Sequence, residues 1–151
     1  MEKSAYETLL KAHKLPEYEA LDQEFDIVLI EEGSNPLKSI IKTIHDCLDS
    51  HAKHLEDLLH PDSNLSTMFE IENFSEEEKK QTYTNYKQLM FLIRHTEQLL
   101  LTNSLNAQEQ FLQKILEEWI PLKEQLLKII IKQKEYWKQI ARPEEVLGYL
   151  G

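Results

Sequence analysis

The chain has 151 residues, with 17 lysines and arginines against 27 acids, a formal charge of −10, and 41% hydrophobic and 29% charged residues. That length suits one domain spanning residues 1–151, and the acidic balance disfavours nonspecific nucleic-acid binding because the net field repels a polyanion. Cys47 is the only cysteine, which excludes an intrachain disulfide and leads us to expect a reducing, cytoplasmic setting.

No apolar run approaches the roughly 18 residues that a membrane span needs, and MEKSAYETLL lacks the basic-then-apolar order of a leader, so no membrane is expected. Glycine and proline are scarce, so long uninterrupted elements are expected. Ser4 and Glu7 have the spacing of a capping box and predict a short helix over about 5–14. Pro16 ends it and opens a second helical stretch to Glu32, with Tyr18, Leu21, Phe25, Val28 and Leu29 on one face. Residues 5–32 thus read as one broken helical segment. All seven ionic residues from Glu17 to Glu32 are acids, a solvated face or a partner for lysines on the last helix.

Gly33-Ser34-Asn35-Pro36 combines a helix stop, an N-cap asparagine and a first-turn proline, and predicts a long helix over 36–60. Its stripe is Leu37, Ile41, Ile44, Leu48, His51, Leu55 and Leu58. Residues 61–74 read as a loop held by burial of Phe69 and Phe74, not by secondary structure. Ser75 and Glu78 form a second capping box, opening a helix over 75–102 whose stripe is Tyr83, Tyr86, Met90, Ile93, Glu97 and Leu100. A short turn folds the last helix back antiparallel over 106–142, a length of about 55 Å at the α-helical rise. Its stripe is Leu112, Ile115, Trp119, Leu122, Leu126, Ile129, Gln133, Tyr136 and Ile140. Pro121 lies inside it and should kink it, freeing the Glu117 carbonyl four residues earlier. Trp137 and Ile140, at the far end, need cover from residues 5–32 or from a second copy. Residues 143–151 are expected to pack back as a short cap.

Three features could carry chemistry. Cys47, His51 and His54 stand at i, i+4 and i+7 on one side of a helix, and thiolate and imidazole are ligands that zinc and copper prefer. One helix rarely closes a tetrahedral site, and no CxxC, HExxH or paired Glu-x-x-His supplies the rest. His45-Asp46 is similar to the central pair of HD-type metal phosphohydrolases. That resemblance implies a further upstream histidine and downstream aspartate on other helices; His13 is the only upstream histidine, and no aspartate follows Asp62. Glu97 falls in an apolar slot, where a carboxylate is either structural or functional. Level with His51 on the neighbouring helices lie Tyr86 and the Pro121 region. His51 is therefore expected to bond the Tyr86 hydroxyl or a carbonyl freed by Pro121, about 20 Å along the axis from Glu97.

These observations point to an all-α antiparallel bundle: three long helices (36–60, 75–102, 106–142) with residues 5–32 as a broken fourth. No nucleophile constellation or phosphate loop is present in the sequence. The reading is a noncatalytic protein that acts through a protein partner or self-association, with no cofactor or metal assigned. The competing reading is a metal- or small-molecule-binding bundle using Cys47, His51 and His54.

Overall fold

A computed structural model describes residues 1–62 and 64–139, and the regular structure within them is helical throughout. The elements are α1 (Lys3–His13), α2 (Tyr18–Phe25), a 3-10 turn (Ile27–Leu29), α3 (Pro36–Leu59), α4 (Leu65–Glu72), α5 (Glu76–Thr102) and α6 (Leu105–Lys138). The all-α architecture and its three long helices are those expected from the sequence. The antiparallel pair α3 and α5 packs most intimately, and α6 lies against both.

Caps explain most of the boundaries. Asn35 accepts from the Lys38 amide ahead of Pro36, and Ser75 and Glu78 form the full reciprocal capping box of α5. Ser104 caps α6 through the Ala107 amide. α1 starts at Lys3 on an N-cap, Glu2, whose side chain makes no capping bond, so the Ser4–Glu7 box is not used. The turns at Lys14, Asp26 and Asn103 take the left-handed conformation, φ 53°, 52° and 55°. Asparagine and aspartate tolerate that region better than most residues, so two of the three stops are chemically natural.

Four expectations are corrected. The stretch 17–32 is not one helix: Asp26 turns left-handed, and the Asp22 carboxylate takes the Val28 amide at 2.7 Å, converting the chain to a 3-10 turn. Residues 61–74 are not a bare loop, because Asn64 accepts from the Thr67 amide and starts α4. The buried face of α5 is rotated by one residue. It is made of Thr82, Asn85, Leu89, Leu92, Ile93, Thr96 and Leu99, and not of Tyr83, Tyr86, Met90 and Glu97. Thr82 and Thr96 can occupy that face because the helix backbone satisfies them, with Thr82 Oγ1 on Glu78 O at 2.8 Å and Thr96 Oγ1 on Ile93 O at 2.6 Å. Finally, α6 ends at Lys138, where Gln139 becomes extended, short of Arg142. Ile140, Arg142 and the tail 143–151 lie outside the described residues.

The α6 stripe holds as read from Leu112 to Gln133, and Phe111 and Gln108 join it. Residues 1–32 cover its first half. His13 Nδ1 meets Glu109 Oε1 at 2.5 Å, Gln113 donates to the His13 carbonyl at 2.9 Å, and Lys123 pairs with Glu24 at 2.9 Å. That last pair bears out the acidic segment as a partner for a lysine of the last helix. The far end is met by α4 instead: Tyr136 stacks on Phe69, and Trp137 donates to Glu70 at 3.0 Å.

Candidate functional site

The three possible metal ligands on α3 go to three different places. His51 lies tilted on the Trp119 ring, centroids 5.4 Å apart; burial first, then His54, pushes its pKa below the ordinary histidine value. His54 is exposed, and its Nε2 meets Gln133 Oε1 at 2.8 Å. Cys47 borders a cavity of about 290 Å³ with Glu24, Asp26 and Thr43; burial, then Asp26 and Glu24, push its thiol up and away from the reactive thiolate. Among the described residues no group of three or more histidines, cysteines or acids is arranged to hold a metal.

The expected partner of His51 is also corrected. The Tyr86 hydroxyl donates to Glu56, a bond that pushes its own pKa up to about 12. Glu97 instead reaches His45 at 3.4 Å. The pairs Glu56–Tyr86 and His45–Glu97 are separated by the same eleven residues on both helices, which fixes the α3–α5 register. In that register His51 lies level with Phe91, about five residues from the expected Tyr86. The shift arises because residues 65–72 form a helix of their own between α3 and α5. Glu97 is a rim residue: Arg94 Nη1 donates to both its oxygens at 2.9 Å and is the main reason its carboxyl titrates low.

Two buried polar clusters bring in tryptophans that the sequence reading did not pair. Glu70 on α4, 8% exposed, accepts from Gln133 Nε2 at 3.4 Å and Trp137 Nε1 at 3.0 Å, so a carboxylate is held by two neutral donors. Glu24 on α2 accepts from Trp119 Nε1 at 2.8 Å and from Lys123. Both join an acid of a short helix to a tryptophan of α6. A tryptophan N–H that is buried needs an acceptor; beyond the expected attraction of the acidic segment for lysines of α6, that is the signal the sequence offered. In each cluster the polar groups are spent on one another, which marks joints of the fold.

The open chemistry lies elsewhere, along the seam between α5 and α6. A groove of about 730 Å³ runs beside Pro121, with Leu92 and Leu122 in its floor and the exposed ring of Phe91 at its edge. Its continuation toward Phe74 and Lys132 adds about 160 Å³ and shares Gln81, Asn85 and Gln125 with it. Pro121 has no N–H, so the Glu117 carbonyl one turn back lacks its helical donor, and both residues line the groove. The groove follows from the α5 rotation: a face with Thr82 and Asn85 on it does not fill the space that larger apolar side chains would have closed.

The chain matches no protein-family model, and no curated protein or solved structure matches it significantly. The functional reading therefore rests on the groove and its side chains.

Proposed function

We propose that this chain is a noncatalytic, cytoplasmic helical module that works by binding another protein along the α5–α6 groove. The observation that carries this reading is the groove itself. It is elongated, with an apolar floor, and it is lined by amide and carboxylate groups that the fold leaves unused, among them Gln88, Gln125, Glu117 and Glu118. Apolar surface bordered by polar groups is the anatomy of a recognition surface. Catalysis would need a nucleophile or base held in hydrogen-bond reach of a second group, and the lining residues offer no such arrangement. No helix among the described residues is long and apolar enough to cross a membrane, which accords with a partner met in water.

The test is site-specific photo-crosslinking in the native cell. A photoreactive residue at Phe91 should capture one polypeptide of defined mass, and the same residue at Leu101, also exposed on α5, should not. Capture should fall when Glu117 and Glu118 are replaced by lysine. Equal labelling at both positions, or labelling indifferent to the charge reversal, would contradict a binding groove.

A further inference from the structure

The groove also says what form of polypeptide it takes, an inference that rests on the binding reading above. Gln81, Asn85 and Gln88 stand at i, i+4 and i+7 on α5, and Gln125 faces them from α6. Asn85 is only 2% exposed, and a carboxamide in that position should have its hydrogen bonds met. Its Oδ1 accepts from Gln81 Nε2 at 3.3 Å, and its Nδ2, bonded to no described residue, is not sealed off and opens to the groove that Asn85 lines. Gln88 and Gln125 bond no described residue either. Glu117, whose carbonyl loses its helical donor to Pro121, lines the α6 side of the groove.

We propose that the α5–α6 groove binds an extended polypeptide segment carrying a basic side chain. The carboxamides of Gln81, Asn85, Gln88 and Gln125 take its backbone, and Glu117 and Glu118 take its charge.

An incoming α-helix satisfies its own backbone and would leave this row of amides without partners. An extended chain brings unpaired N–H and C=O groups along its whole length, which is what carboxamides, each donor and acceptor at once, can meet. The row spans about 10.5 Å by helical rise, close to three residues of extended chain. The charge is likewise decided locally. Glu117 and Glu118 have no ion pair among the described residues, and the part of the groove beside Pro121 holds one cation against them, Lys87; the continuation adds Lys128 and the Lys132–Glu78 pair. The part beside Pro121 is thus acidic by one charge on a chain of net charge −10, so a basic side chain is drawn to that part.

The experiment is selection of a random twelve-residue peptide library on the full chain, followed by affinity measurement on the enriched peptides. The expected peptides share a lysine or arginine without helical periodicity. Glu117→Gln with Glu118→Gln should weaken them at least tenfold, and Gln88→Ala with Gln125→Ala should do likewise; Gln88, Glu117 and Glu118 are exposed and Gln125 is half-buried, and none of the four side chains bonds a described residue, so these variants fold. Methylating single backbone nitrogens of the peptide should give losses at specific positions that the matching side-chain substitutions do not give. Groove-dependent binders that are amphipathic helices, or that carry no basic residue, would overturn this inference and leave the binding reading standing. Binders indifferent to all four substitutions, or no enrichment, would overturn both.

Discussion

Glu24 has a side chain only 9% exposed and holds both the Trp119 indole and the Lys123 ammonium. Glu24→Ala leaves a buried N–H without an acceptor and unties α2 from α6, so a loss of about 1–3 kcal/mol is expected in urea unfolding. His51 makes a pH prediction whose sign follows from its burial. Its folded pKa lies below the ordinary value near 6.5, so the unfolded chain binds the extra proton in the window between the two. Stability from this residue is complete above that value and is lost as pH falls through it toward the folded pKa. His51→Leu should flatten the decline in melting temperature between neutral pH and about pH 5; an unchanged acid limb would show that other groups govern it.

At the scale of elements, α4 and α6 invite opposite expectations. Asn64 starts α4 through the Thr67 amide, and Phe74 at its end is 5% exposed. Asn64→Ala should cost about 1 kcal/mol and Phe74→Ala about 3–5 kcal/mol, both read by chemical denaturation. Pro121→Ala should instead stabilise the chain, by up to about 3 kcal/mol, since it restores a donor to the Glu117 carbonyl. It should also weaken whatever binds the groove, which separates Pro121 as a functional residue from Pro121 as a tolerated defect. The long helices were legible because capping residues and apolar periodicity agreed on them. The α5 face was not. Tyr83, Tyr86 and Met90 are large and outweigh Thr82, Asn85 and Thr96 in any periodic reading, yet the small residues lie inside: the two threonine hydroxyls bond the helix they sit on, and Asn85 accepts from Gln81. That one-residue rotation hid the groove, and it moved Glu97 from an apparent core slot to the rim. The tryptophan bonds of Glu70 and Glu24 were hidden for another reason: Trp137 and Trp119 lie more than sixty residues away, and only the Glu24–Lys123 pairing followed from charge.

On the whole molecule, α6 turns Ile120, Leu127, Ile130 and Ile131 outward, each between 43% and 54% exposed. Lys123 and Lys134 interrupt that face, and burying their charge against a second copy would be costly. The purified chain is therefore expected to scatter light with the mass of one chain across the micromolar range. A concentration-dependent doubling that Leu127→Glu abolishes would mean that α6 is a self-association surface. The central claim is that the bound partner lies between α5 and α6. Amide-resolved NMR of the full chain, titrated with a library-selected peptide, tests it most directly. The account predicts shifts concentrated in residues 81–92 and 117–125, with the Asn85 side-chain amide among the largest. Shifts gathered instead on the outer face around Leu127, or around the Cys47 cavity, would contradict it.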